Sequence, residues 1–381
     1  MGGNQSKPTA PPTLPDSLDE VRLLIDDLDR QLLDLVSQRA RLAEQVAHIK
    51  QRDPAFSPGQ SFYRPEREAQ VLARIRELNP GPLDDDTVAW LFREVMSACL
   101  AHERPLSIAT LGPSGTFSEL AAVAAFGHGG RLQFEPGIPE VFRAVSAGSV
   151  DYGVVPLENS TEGSVSLTLD SLAGSDLLLC GEVALRIDQQ LLSHPDAASH
   201  PRCIVSHAQS LAQCREWLDA HFPGVDRMAV ASNSAAAQQA ATDPEVFAIG
   251  PAFAAERHGL VVRAANIQDN VQNTTRFAVL GREPVAPSGE DKTALLLSVT
   301  NEPGALSRLL LPLSEAGIDV LRIESRPARD RVWDYVFFID IAGHRDDPAV
   351  ADALERLHPH CGQLRVLGSY PLPVISHPGG E

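Results

Sequence analysis

The chain has 381 residues, 43% of them hydrophobic, and a formal charge of −18. That is enough apolar material for two or three packed domains. A surface of that sign excludes nucleic acid and anionic membrane as partners, and leaves an anionic small molecule open only where local Arg and Lys overcome the field. The five cysteines are scattered and form no C-x-x-C pair, so the sequence points to no metal site and no disulfide framework, in keeping with a reducing cytoplasm. It shows no signal peptide and no apolar run near the length of a membrane span. Met1-Gly2-Gly3-Asn4-Gln5-Ser6 satisfies a loose myristoylation pattern, within what reads as a disordered tail over residues 1–16.

A long helix is predicted from Pro15-Asp16-Ser17, with Asp16 or Ser17 as cap and Glu20 in capping-box position. Its seam is Leu18, Val21, Ile25, Leu28, Leu32, Leu35, Arg39, Leu42, Val46 and Ile49, a heptad-like stripe that needs a hairpin or a second chain to cover it. Arg39 stands where Leu is expected, and a buried guanidinium is costly unless an anion meets it. Lys50 lies nearly on the same face, whereas Arg22 points elsewhere, toward a pocket of a second chain. The plain alternative pairs Arg39 with Glu44 or Glu68. A Pro- and Gly-rich loop, Asp53 to Gln60, ends the helix. A second helix opens around Phe62 to Glu68 and stops at Asn79-Pro-Gly-Pro82. Asp84-Asp-Asp86 sits at the start of a third, where the helix dipole accounts for the acids without a metal. In that third helix Glu103 continues the apolar stripe four residues after Cys99.

Residues 17–104 resemble the all-helical chorismate mutases, which are intertwined dimers. The resemblance places the family's cations on Arg22, Arg39 and Lys50, its turn motif on Arg64, Arg67 and Glu68, and its last-helix pair on Cys99 and Glu103. The loop before Arg64 is longer than in compact members, and Glu103 stands where Gln is frequent. The rearrangement of chorismate to prephenate needs no cofactor, only cations that favour a compact, charge-separated transition state. If Glu103 donates to the ether oxygen it must be protonated. Mutase activity should then fall as pH rises, and Glu103→Gln should flatten that profile.

From Leu106 strands and helices alternate, which predicts parallel sheets in two lobes around a cleft. Leu106 to Leu111, a Gly-bearing loop and an Ala-rich helix form an anion-binding arrangement without the Gly-Lys-Ser/Thr of a phosphate loop. Ser118 as a simple helix cap is the alternative. Later come Val150 to Leu157 with Glu158-Asn-Ser-Thr-Glu-Gly163 at its end, Cys203 to His207, a helix carrying Gln213, and Ser232-Asn-Ser234 as a cap. Asn273-Thr-Thr-Arg-Phe277 enters a further strand. Two hydroxyls and a guanidinium there can protonate a group and anchor a carboxylate; plain β-propensity with a solvated Arg is the other reading.

Residues 107–283 resemble prephenate dehydratase, through Gly112-Pro-Ser-Gly-Thr116, Val155-Pro-Leu-Glu-Asn159, Ser206-His-Ala-Gln209 with Gln213, and Asn273-Thr-Thr-Arg-Phe277. Ala208 replaces a common Pro. The resemblance implies a periplasmic-binding-like fold, Thr275 as the catalytic residue, and Thr116, Glu158, Asn159, Ser206, Gln213 and Arg276 around prephenate. Thr275 would donate to the departing hydroxide.

After a Pro-bearing linker, residues 292–371 read β-α-β-β-α-β, a ferredoxin-like order, before a tail at 372–381. Here the resemblance is to the amino-acid-binding ACT module. Pro303-Gly-Ala-Leu306 and Glu324-Ser-Arg-Pro327 match its phenylalanine motifs, which implies Gly304, Ala305, Leu306, Glu324, Ser325 and Arg326 around L-phenylalanine between two modules. The leading expectation is a cytoplasmic, cofactor-free, phenylalanine-inhibited mutase and dehydratase, active as a homodimer or larger homo-oligomer. The alternatives are a dehydratase whose helices only dimerise it, or a binding protein without chemistry.

Overall fold

The computed structural model describes residues 17–52, 63–299, 302–327, 335–373 and 375–376, without the side chains of Lys50, Gln51, Ile375 and Ser376. Gly2, the Asp16 cap, the Asp53–Gln60 loop, Phe62, Val332 and the last residues of the tail therefore lie outside the described residues, as does any role of the Lys50 side chain.

Helix α1 (Leu18–Arg52) belongs to one compact unit; everything from helix α2 onward belongs to a second. Ser17 caps α1 by accepting from the Glu20 amide at 3.3 Å. The predicted stripe is on its surface: Leu28, Leu32, Leu35 and Leu42 are each about 60% exposed, at 58, 58, 61 and 60%.

In the second unit α2 (Pro65–Leu78) and α3 (Asp85–Glu103) come first. Asp84 caps α3 by accepting from the Thr87 amide at 2.8 Å, as its place at a helix start leads one to expect. Lobe 1 follows with β1 (Ser107–Leu111), α4 (Phe117–Phe126), β2 (Arg131–Glu135), α5 (Ile138–Ser146), β3 (Tyr152–Asn159), β4 (Gly163–Ser164), α6 (Ser166–Ala173) and β5 (Leu178–Arg186). Lobe 2 holds β6 (Gln190–Ser193), β7 (Cys203–His207), α7 (Ala208–Gln213), α8 (Arg215–His221), β8 (Asp226–Val230), α9 (Asn233–Thr242), β9 (Val246–Gly250), α10 (Ala252–His258) and β10 (Val261–Ala264). The chain then returns to lobe 1 as β11 (Thr274–Gly281). The ACT part is β12 (Asp291–Val299), α11 (Ala305–Glu315), β13 (Val320–Pro327), β14 (Tyr335–Ala342), α12 (Pro348–Leu357) and β15 (Gln363–Pro371), and β16 (Ile375–Ser376) ends the described chain.

The sheets of the two lobes are mixed, not parallel as the alternation suggests. In lobe 1 the order is β16-β5-β11-β3-β1-β2, and β11 runs antiparallel to both neighbours, β3 and β5. In lobe 2 the order is β10-β6-β9-β7-β8, with β6 antiparallel to β9 and β10. The strands that run against their neighbours are those at the crossings between lobes: β6, the first strand of lobe 2, and β11, the strand that returns to lobe 1.

One face of the lobe 1 sheet packs on α4, with Tyr63 and Leu100 from the helical segment beside it. The other face shares a single core with the ACT sheet: Val155, Ala278 and Leu280 meet Ala294, Leu296, Phe338 and Tyr370. Strand periodicity sorts these sets, because side chains two apart share a face. On β11, Thr275, Phe277 and Val279 point one way, and Arg276, Ala278 and Leu280 the other.

Candidate active site

A cavity of about 530 Å³ opens between the lobes, lined among others by Thr116, Asn159, Gln189, Gln213, Asn233 and Thr275. Thr275 and Asn159 are directly paired across β11 and β3. The Asn159 side-chain oxygen accepts from the amides of Thr161 at 2.9 Å and Glu162 at 3.1 Å. Those two N–H donors fix which end of the amide is which. Asn159 Nδ2 therefore donates, to Thr275 Oγ1 at 2.8 Å and to Asn273 Oδ1 at 2.9 Å. A hydroxyl whose oxygen is already accepting keeps its own proton to give, and Thr275 is on the cavity wall. Asn159 orients this donor but cannot re-protonate it, since an amide has no proton to relay at neutral pH.

Two helix starts border the cavity. Thr116 caps α4, accepting from the Glu119 amide at 3.4 Å, and Ser232 caps α9, accepting from the Ala235 amide at 3.0 Å. Both caps, with the first helical residues behind them, line the cavity from opposite lobes. Two helix N-termini aimed at one space favour negative charge there. No Lys or Arg is among the described lining residues. Ser118, the alternative cap, is not the one used.

Thr116, Asn159, Gln213 and Thr275 are thus brought together, whereas Glu158, Ser206 and Arg276 are not. Ser206 is fully buried and donates to the Ile249 carbonyl at 2.7 Å, stitching β7 to β9. Arg276 and Glu158 form the next rung of the same ladder and so face away from the cavity. Arg276 donates to Glu182 through Nε at 2.7 Å and Nη2 at 2.8 Å, to Glu158 at 2.7 Å and to Asp340 at 2.8 Å. A guanidinium with three carboxylates has no free fork for a substrate. Burial pushes the Glu182 carboxyl up, but the Arg276 hydrogen bonds and the Lys292 charge outweigh it and hold it below its ordinary value.

Sequence reasoning missed Gln189, Ser210 and Asn233. Gln189 Nε2 donates to Ser210 Oγ at 3.1 Å and to Gln213 Oε1 at 3.2 Å, leaving its own buried oxygen unpartnered at the cavity. The Ser232-Asn-Ser234 cap pattern was a signal for Asn233; Gln189 carried none.

The proposed chorismate residues are divided between the two units. Arg22 and Arg39 are on α1, where Arg22 is exposed beside Asp19 and Arg39 is half-buried. At the start of α2, the N-cap Arg64 pairs with Glu66, Arg67 is exposed, and Glu68 is held by Arg93 at 3.2 Å. Burial raises the Glu68 carboxyl above its ordinary value, and Arg93 offsets only part of that. Cys99 is buried and Glu103 half-buried on α3. Glu68 and Arg93, with Tyr63 and Arg76, line a second cavity of about 650 Å³ between α2 and the lobe 1 sheet.

In the ACT part, Gly304 takes a φ of +79° to turn the chain into α11. Leu306 is exposed. Glu324, Ser325 and Arg326 sit on β13, an edge strand. Arg326 donates to the Ser166 carbonyl at 3.0 Å and pairs with Asp170 at 3.4 Å, so it is engaged by α6.

The comparisons agree with this layout. Residues 21–104 match the chorismate mutase type II model, 108–285 the prephenate dehydratase model, and 293–359 the ACT domain model. A bifunctional chorismate mutase/prephenate dehydratase of Stutzerimonas stutzeri is 50% identical over 94% of this chain and 99% of its own. One of Pseudomonas aeruginosa is 49% identical over the same shares, 94% and 99%. The crystal structure of prephenate dehydratase in complex with L-Phe from Arthrobacter aurescens has 35% identity and a TM-score of 0.65, covering 70% of this chain and 90% of that one. On these matches, running the length of the chain in one order, it belongs to the bifunctional chorismate mutase/prephenate dehydratase family.

Proposed function

We infer that this chain rearranges chorismate to prephenate in its helical part and converts prephenate to phenylpyruvate in the cleft between the lobes. The observation that carries the second step is Thr275, whose oxygen accepts from Asn159 and whose side chain lines a cavity between two helix N-termini. Prephenate is a dicarboxylate. One carboxylate stays and is held by the dipoles of α4 and α9. The other leaves as carbon dioxide, its bonding electrons completing the aromatic ring as the ring hydroxyl departs. Thr275 gives that hydroxide a proton, water forms, and solvent restores the threonine.

For the first step Arg22, Arg39, Lys50, Arg64 and Arg67 supply the cations and Glu68, Cys99 and Glu103 the remaining contacts. The uncovered stripe on α1 supports a homodimer whose second copy completes that pocket. L-phenylalanine would bind through Gly304, Ala305, Leu306, Glu324, Ser325 and Arg326. Leu321 and Ile323, exposed on the edge strand β13, favour the pairing of two ACT parts around it. The cysteines are all free, which suits the cytoplasm. Among the described residues no helix is long and apolar enough to cross a membrane.

The test is one incubation of the purified chain with chorismate, with and without L-phenylalanine. Phenylpyruvate should form, and less of it with phenylalanine. Accumulated prephenate would defeat the dehydratase assignment, and untouched chorismate the mutase assignment.

A further inference from the structure

Behind Thr275, on the face of the sheet away from the cleft, lies a cluster of charge. Glu158, Glu182 and Asp340 stand against Arg276, Lys292 and Arg322. Lys292 reaches Glu182 at 2.6 Å and Asp340 at 3.8 Å, and the Tyr370 hydroxyl donates to Glu182 at 3.3 Å. Glu182 is 2%, Lys292 5%, Asp340 7% and Arg322 9% exposed at the side chain. Three of the members, Lys292, Arg322 and Asp340, come from the ACT sheet; the others come from β3, β5 and β11.

Two rungs of one ladder therefore look opposite ways. Thr275 and Asn159 hold the cleft, and Arg276 and Glu158, one residue along each strand, are held by the ACT sheet. The register shifts between Arg276 and Phe277, so a bulge follows the charged rung at once. Such bulges re-aim neighbouring side chains. The ACT arginine of the cluster reaches the cleft wall as well: Arg322 lies 2.8 Å from Glu158 and donates at 2.6 Å to Ser164, which lines the cavity.

We propose that Asp340 and Arg322 of the ACT part are positioning residues for the dehydratase reaction, acting through Arg276 and Glu158 on the Thr275–Asn159 pair. This rests on Thr275 being the proton donor. The ACT sheet is then a built-in support of the catalytic rung even with no amino acid bound. A buried ion network with one member removed leaves its partners uncompensated and shifts them. Here the shifted partner is next to the reacting hydroxyl, and small misplacements there cost rate rather than binding.

The experiment compares Asp340→Asn, Asp340→Glu and Leu309→Ala in the full chain. Leu309 is buried in the ACT core on the opposite face of its sheet and loosens the same module without touching the network. Dehydratase kcat and KM, mutase rate and thermal midpoint are measured on each. Asp340→Asn should lower dehydratase kcat by about tenfold or more, a loss of ~1.4 kcal/mol in transition-state stabilisation, with KM and mutase rate within about twofold. Asp340→Glu should recover part of the loss. Leu309→Ala, at an equal or larger drop in thermal midpoint, should keep dehydratase kcat. Unchanged kcat in Asp340→Asn, or an equal kcat loss in Leu309→Ala, overturns the proposal. If Asp340→Asn does not fold, Arg322→Gln takes its place under the same criteria. A parent chain that makes no phenylpyruvate from prephenate defeats the underlying reading of Thr275 instead.

Discussion

Replacing Thr275 by valine removes one hydroxyl and keeps the branched shape of the side chain. The structure fixes what is lost. Asn159 Nδ2 keeps its 2.9 Å bond to Asn273 but loses the 2.8 Å bond to Thr275, so one of its two buried N–H groups is left without a partner. The stability cost should be that of one unsatisfied buried donor, about 1–3 kcal/mol. The catalytic cost is larger, because the hydroxyl that Asn159 holds at the cavity disappears. Loss of a positioned proton donor is worth roughly 10²–10⁴ in rate, or about 2.7–5.4 kcal/mol of barrier. Dehydratase kcat from prephenate, mutase rate from chorismate and a thermal melt on the same preparation separate the two effects. A folded Thr275→Val chain with dehydratase activity within tenfold of the parent would refute the reasoning, and equal loss of both activities would show that the sites are not independent.

Two further outcomes are expected. Glu182 is held below its ordinary acidity range by Arg276 and Lys292 despite its burial, so its ionised form favours the folded state. That contribution is full above the unfolded carboxylate value of about 4.3 and is lost as pH falls through the lower folded value. Glu182→Gln should thus be less stable than the parent at pH 7, and the gap between urea midpoints should close on acidification; a gap that persists in acid would contradict it. On α1, Leu32 is 58% exposed in the middle of the stripe. Leu32→Asp should yield a monomer by sedimentation and depress mutase activity while sparing the dehydratase; a dimer with full mutase activity would remove α1 from the interface.

Much of the architecture was legible because it is local. Heptad spacing located α1, caps such as Ser17, Asp84 and Ser232 marked helix starts, and the β-α-β-β-α-β order of the ACT part follows from short-range pattern. Strand direction was not legible. That β11 is antiparallel depends on pairing with β5 and β3, whose contacts to Arg276 span 94 and 118 residues. The role of Arg276 was misjudged for a related reason. Alternation forbids Thr275 and Arg276 from facing the same space, but the three carboxylates that hold the arginine on the far side, Glu158 of β3, Glu182 of β5 and Asp340 of the ACT sheet, are all distant from it in sequence. Gln189 was missed because a lone glutamine between strands carries no pattern.

Lobe 2 leaves lobe 1 after β5 and comes back as β11, and those two strands are hydrogen-bonded neighbours. It is in effect a guest hung from adjacent doorposts, one at each side of Ile187 and Asn273, whose backbones also bond at 2.8 Å. It is braced to its host elsewhere too, where Arg257 of α10 pairs with Glu119 of α4 at 2.8 Å and donates to Ser114 at 2.7 Å. The ACT sheet packs on the host, behind the very strand that carries Thr275. Any signal it sends therefore arrives first at the jaw of the cleft that carries Thr275, and reaches the other jaw only through it.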